Sequence, residues 1–250
     1  MKKIIPLLTI ATFVSISVSA QLSNSPDAYK TDKGELLVHP VNHGTVAFTF
    51  DGKTIFVDPY GGSQKFSDFN SPDLILITDI HGDHLNQETL SGLNTENTTF
   101  VVPKAVADQM DEVMKDRIVI IGNEETTTQL GIEITGIAMY NLPDNESSRH
   151  KKGRGNGYVI NFGGTNVYLS GDTEDIPEMR NLKNIDIAFV CMNLPYTMDI
   201  YQAASAVIEF SPSIMYPYHH RGQDIERFKE IMSVGNPEVK VILKDWYPSN

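Results

Sequence analysis

The stretch Ile77-Thr78-Asp79-Ile80-His81-Gly82-Asp83-His84-Leu85 constrains this chain more than any other. It closes the apolar run Leu74-Ile75-Leu76-Ile77, whose β-branched content and length predict a buried strand. Just beyond that strand stand two imidazoles and two carboxylates within six residues. Gly82 permits a turn that aims His81, Asp83 and His84 toward one point, and imidazole nitrogen with carboxylate oxygen suits zinc and its neighbours. So short a cluster does not complete a site, and further ligands are expected from later in the chain. The plainer reading is a polar loop in which Asp83 caps a helix starting near Asn86. The coincidence of strand, glycine and clustered ligands favours the metal.

The 250 residues, 40% of them hydrophobic, suffice for one layered α/β domain or two small ones. Met1 to Ala20 carries Lys2 and Lys3, an apolar stretch from Ile4 to Val18 and small residues at Val18-Ser19-Ala20, the pattern of a secretory signal peptide. Cleavage near Ala20 and a secreted or periplasmic location are expected. The apolar stretch is short for a membrane span, and no cysteine directly follows Ala20 for lipid attachment, so no stable membrane anchor is expected. Residues 21–33 read as a polar leader and 34–250 as the folded domain. The formal charge is −12, and loss of Lys2 and Lys3 takes it to −14. That acidity argues against general nucleic-acid binding, without excluding a local basic patch. Cys191 is the single cysteine, which excludes an internal disulfide, and its apolar surroundings predict a buried, inert thiol.

Strands are predicted at 35–41, 45–50 and 53–57, the last two joined by the Asp51-Gly52 turn. Asp58-Pro59 ends the third. A short helix at 86–93, a strand at 99–102 and a helix from Pro103 to about Lys115 follow, the last with Val106, Met110 and Met114 on one face. Strands at 117–121, 126–130 and 132–139 precede a long polar loop, Asn141 to Gly157, which holds the basic run His150-Lys151-Lys152-Gly153-Arg154. Such a loop is either a lid or anion-holding edge over the site, or simply solvated. A hairpin at 158–162 and 166–170 delivers Gly171-Asp172-Thr173, where Asp172 is a helix cap or a ligand. A strand at 186–192, a helix at 198–210 and a strand at 213–218 lead to His219-His220. Neighbours on an extended chain face opposite ways, so one of these two histidines is expected at the site. Asp224 should cap a final helix, before a strand at 239–243. No sequence repeat is evident.

The central motif resembles the His-x-His-x-Asp-His signature of the metallo-β-lactamase superfamily, with Asp79 where the first histidine normally stands. The resemblance runs from Glu35 to Trp246. Within the superfamily the chain is most similar to the small metal-dependent hydrolases, the branch that includes ascorbate-phosphate lactonase-like proteins. It implies an α/β fold, an αββα sandwich of two mixed β-sheets flanked by helices. It also implies that Asp83, His84 and His219 hold one metal, that Asp172 bridges, and that Asp58 fixes the site without ligating. His220 is then a neighbouring ring. The first metal position is altered: it has Asp79 and His81, and Tyr140-Asn141 where a third histidine is expected. Asp79 and Asn141 could both ligate, His150 could fold back from its loop, or the position could be empty.

The resemblance implies one or two zinc ions, and the added oxygen ligands admit manganese or iron(II). A metal-activated water would attack a lactone, amide, thioester or phosphoester, with Asp83 or Asp79 handling the water's proton. Lys151, Lys152 or Arg154 could hold an anionic part of the substrate. The alternative is a non-catalytic metal- or ligand-binding protein on the same scaffold. A nuclease or a true β-lactamase fits less well.

Overall fold

The computed structural model describes residues 22–248. The segment read as a signal peptide lies outside them. Strands β1 (Asp27–Thr31), β2 (Gly34–Asn42), β3 (Thr45–Phe50), β4 (Lys53–Val57), β5 (Leu74–Leu76), β6 (Thr99–Val102) and β7 (Ile118–Ile120) form one sheet in chain order. A second sheet is built, also in order, from β8 (Thr126–Gln129), β9 (Ile132–Met139), β10 (Gly155–Phe162), β11 (Thr165–Leu169), β12 (Ile187–Cys191), β13 (Ile214–Tyr218) and β14 (Lys240–Val241). In each sheet the first four strands pair antiparallel and the last three continue in parallel. The two halves of the chain therefore share one topology, a repeat that the sequence does not display.

Alternation along the strands builds the layers. Val46, Phe48, Ile55, Val57, Leu74 and Leu76 enter the large core shared with the second sheet. Their neighbours Ala47, Phe56, Ile75 and Ile77 face outward into a smaller core with Leu90, Val106, Met110 and Met114. Leu90 belongs to α1 (Gln87–Gly92), capped by the Asn86 side chain, and Val106 to α2 (Lys104–Ala107). Over the second sheet, α3 (Pro177–Arg180), α4 (Ile200–Phe210) and α5 (Ile225–Gly235) complete the sandwich. Asp199 caps α4 in a capping box, and Asp224 caps α5 as expected. The two mixed sheets flanked by helices are the αββα sandwich expected from the resemblance.

Two expectations need correction. The fold begins inside the stretch read as a leader, because Asp27–Thr31 pairs antiparallel with β2. The predicted helix from Pro103 to Lys115 is broken: α2 ends at Ala107, and a 3₁₀ turn resumes at Glu112. Asp111 is extended there (φ −60°, ψ 143°) and its side chain makes no capping hydrogen bond. Val106, Met110 and Met114 are buried all the same. Among the described residues no helix is long and apolar enough to cross a membrane.

Candidate metal centre

The parallel strands of both sheets deliver the site from their C-terminal ends, where open α/β sheets place ligands. Asp58 follows β4, Asp79 to His84 follow β5, Asp172 follows β11, and His219 follows β13. His150 comes from the loop between β9 and β10. His84, Asp172 and His219 converge closely enough to hold an ion, and so do Asp79, His81 and His150; a third group joins His43, Asp83 and His219.

Around His84 the ring nitrogens are sorted by Asp58. The Asp58 carboxylate, 1% exposed, accepts from Thr78 N at 2.8 Å and from the Thr78 hydroxyl at 2.6 Å. His84 Nδ1 lies 2.8 Å from Asp58 Oδ2, so Nδ1 carries the proton and Nε2 offers its lone pair to the centre. There Nε2 sits 3.3 Å from His219 Nε2 and 3.4 Å from Asp172 Oδ2, while Asp172 Oδ1 is 3.2 Å from His219 Nε2. Ligand atoms about 2.0–2.1 Å from a tetrahedral ion stand about 3.3 Å apart, so these spacings fit a metal. His219 reaches this place because Gly44 lacks a side chain: a Cβ there would lie 2.9 Å from the His219 ring. His220 faces away and packs edge-on against Tyr247, with ring centroids 5.0 Å apart.

The other side of the centre is built differently. Asp79 is fully buried and takes the Arg154 fork on both oxygens, each at 3.1 Å. Its Oδ2 also lies 2.5 Å from His81 Nδ1. His150 does fold back from its loop. Asn141 does not turn toward the centre; its Oδ1 accepts from His150 N at 2.8 Å and from His150 Nδ1 at 3.0 Å. Asn141 thus orients His150, and Nε2 is aimed inward, 3.2 Å from Asp172 Oδ2 and 3.9 Å from Asp79 Oδ2. His150 Nε2 and Asp172 Oδ1 are buried without a hydrogen-bond partner. Orphaned acceptors of this kind, converging from separate elements, fit a cation.

Burial alone would raise the Asp79 pKa, but His81, the His84 charge and Arg154 outweigh it and hold the carboxyl down at about 2. Asp172 is likewise held well below the carboxylate range, burial being overcome by His219 and His84. Cys191 is buried, with its thiol pushed up to about 11 chiefly by burial. It is inert, as expected.

His43 was not legible as a site residue. Its Nε2 stands 3.1 Å from Asp83 Oδ2 and its Nδ1 2.9 Å from the Tyr247 hydroxyl, which in turn accepts from Arg221 N at 2.7 Å. The carboxylate end fixes one direction: Asp83 Oδ2 accepts from Nε2–H, while the Tyr247 hydroxyl, which can donate or accept, meets Nδ1. Asp83 is therefore the acceptor, an ionised carboxylate whose pKa is pulled down by His43, His84 and His219 against burial. The only hint in the sequence is the tight Asn42-His43-Gly44 turn, with His43 at φ 56°. The centre opens into a cleft of about 630 Å³ lined by His43, Asp83, Asp172, Tyr196, Arg221 and Tyr247 among others.

An αββα sandwich with imidazoles and carboxylates gathered at the ends of both sheets defines a metallohydrolase of β-lactamase fold. A model of the β-lactamase superfamily domain matches residues 38–219, and the chain belongs to that family. It is 31% identical over 219 residues to a UPF0173 metal-dependent hydrolase of Pyrococcus horikoshii, covering 80% of this chain and 94% of the relative. A relative from Pyrococcus furiosus with the same designation is 30% identical over 216 residues, with the same coverage. Among solved structures, one from Parabacteroides distasonis named for metal-dependent hydrolysis superimposes with a TM-score of 0.80. It is 34% identical, and the match covers 90% of this chain and 99% of that one. The protein is a metal-dependent hydrolase of this superfamily.

Proposed function

We propose that the protein uses two adjacent metal ions to hydrolyse a small molecule at a carbonyl or phosphoryl group: a lactone, amide, thioester or phosphoester. Asp79, His81 and His150 hold the first ion, Asp83, His84 and His219 the second, and Asp172 bridges. Zinc suits the second position. The first, with two imidazoles and a carboxylate, also accepts manganese or iron(II). The observation that carries the reading is the inward Nε2 of His150. It supplies the imidazole expected where Tyr140-Asn141 stand, gives the first position three ligand residues with Asp79 and His81, and so supports the catalytic reading over a non-catalytic scaffold.

Bound ions supply a water deprotonated near neutral pH and an electrophile for the substrate oxygen. Asp83 is the carboxylate that faces the cleft, with 31% of its side chain exposed. It orients the attacking water and accepts its proton at the oxygen left free by His43. The proton then passes to the leaving group as its bond to the carbonyl carbon or phosphorus breaks. Asp79 is excluded from that role, because it is enclosed and both its oxygens face Arg154; it serves to hold metal. Met1 to Ala20 directs the chain out of the cytoplasm in this reading. The test is elemental analysis of metal-reconstituted protein together with a panel of these four substrate types. About two ions per chain, with turnover abolished by chelation and by Asp83→Asn, are expected. A full complement of metal with no turnover on any of the four would overturn the hydrolytic assignment.

A further inference from the structure

The basic loop was expected to meet an anion through Lys151, Lys152 or Arg154, and the structure occupies all three elsewhere. Lys151 pairs with Glu146 at 2.5 Å, Lys152 with Glu178 at 2.6 Å, and Arg154 with Asp79. Two other arginines stand at the cleft. Arg149 precedes His150, and Arg221 follows His219 by two residues, so the segments that carry the ligands also carry these cations. Both line the cleft, and both lie over the ring of Tyr196, at 4.4 Å and 5.3 Å from its centroid. Arg154, Arg180 and Arg227 each meet a carboxylate, whereas among the described residues Arg149 and Arg221 meet none. In a chain of formal charge −12, two cations left unpaired on one ring are a conspicuous arrangement.

A second observation points to a ligand at the same place. Asn193, just beyond β12, lines the cleft and is 1% exposed, and its Oδ1 is buried with no hydrogen-bond partner. A buried amide oxygen without a donor costs stability, and an incoming hydroxyl or N–H of a ligand would relieve it. Tyr196 is held in register with the metal centre by Asn141, whose Nδ2 donates to Tyr196 O at 2.9 Å while its Oδ1 fixes His150. The ring that supports the arginines and the imidazole that faces the ions are thus fixed by one side chain.

We propose that Arg149 and Arg221, braced on Tyr196, form a subsite for an oxyanion of the substrate, a carboxylate or phosphate remote from the bond that is cleaved, while Asn193 Oδ1 accepts from a hydroxyl or N–H elsewhere on the same molecule. The inference rests on the hydrolase reading for what lies at the other end of the substrate. Guanidinium forks match such oxyanions in two-point contacts, and cation–π contact with Tyr196 holds the forks without neutralising them. The substrate is then a small bifunctional anion, held by its charged end while its ester-like end meets the metals.

The test is calorimetric titration of metal-loaded protein with acetate, which can reach only one end of the cleft at a time, and with glutarate and 3-phosphonopropionate, which carry two anionic ends. The two-ended ligands should bind about tenfold or more tighter than acetate, glutarate leading if the subsite reads carboxylate and 3-phosphonopropionate if it reads phosphate. In Arg149→Met/Arg221→Met that preference should vanish with metal content unchanged, and Asn193→Ala, which removes an acceptor that glutarate cannot engage, should leave it intact. Lys151→Met/Lys152→Met should leave it intact. No preference in the native chain, or a preference that survives loss of both arginines, would overturn the subsite. Because binding is read without turnover, failure of the hydrolytic assignment and failure of the subsite give separate signatures.

Discussion

The two proposed metal positions would perform one task with different materials. On the second, a strand-end carboxylate, Asp58, grips His84 Nδ1. On the first, a loop amide, Asn141, grips His150 Nδ1. Both arrangements leave Nε2 facing the centre, but a carboxylate makes its imidazole more basic than an amide does. The second position is also made from chain immediately following strands, whereas the first needs a loop to return across the site. Its carboxylate, Asp79, brings an extra negative charge, and Arg154 offsets it. What the contrast teaches is that placing a charged ligand where a neutral one is usual calls for a counter-charge beside it, not merely a similar reach.

The strongest way to break this contrast is to remove what the positions share. Asp172→Ala should lose both ions by elemental analysis and lower turnover at least a thousandfold, because Asp172 touches His84, His150 and His219. Single-sided changes should separate them: His84→Ala is expected to release one ion while keeping that of the first position, and His150→Ala the reverse. Anomalous scattering at the metal edges would locate the ion that remains.

Next in size comes the counter-charge. Arg154→Met leaves the buried Asp79 to the His81 ring without its guanidinium partner and should cost about 3 kcal/mol in denaturant unfolding of the metal-free protein. Asp79→His/Arg154→Met, which restores a neutral first position, should recover much of that loss, a coupling that a double-mutant cycle would measure. Sharper but smaller are the orienting residues. Asn141→Ala should weaken metal binding at the first position by about 10–100-fold and spare the second, and Asp58→Asn should do the opposite.

The smallest effect is on pH dependence. Burial, with His43 adding to it, lowers the His220 pKa to about 4, against an ordinary value near 6.5. The unfolded chain takes up a proton there that the folded chain refuses. The contribution of His220 is therefore complete above about pH 6.5 and is lost as the pH falls toward about 4. Thermal denaturation between pH 7 and pH 4 should show this slope, and His220→Gln should flatten it; an unchanged slope would mean that other groups dominate.

Much of this was readable because strands and a metal motif write themselves locally. Leu74 to His84 contains both its strand and its turn, and the period-two pattern of Val46-Ala47-Phe48 declares two covered faces. The Asp79-Arg154 pair spans 75 residues, and nothing near Asp79 names its partner. Asn141 occupies the place where a ligand was expected, but whether it faces the metals or backs His150 depends on how a nine-residue return closes. His43 is invisible for the same reason, its contact with Asp83 lying 40 residues away. The broken helix after Ala107 had the right apolar spacing. Its side chains found their core, although the backbone is extended at Asp111.

The matched topology of the two sheets has a practical consequence. Each proposed metal position draws residues from both halves: Asp79 and His81 meet His150, and Asp83 and His84 meet His219, with Asp172 between. The halves are joined once along the chain, through residues 121–125 between β7 and β8. A protein cut there and supplied as two fragments would carry, at its seam, an ion-dependent clasp. Metal concentration would then govern how firmly the pieces reassemble, so the centre that cleaves a substrate would also serve as a reversible coupling between two polypeptides.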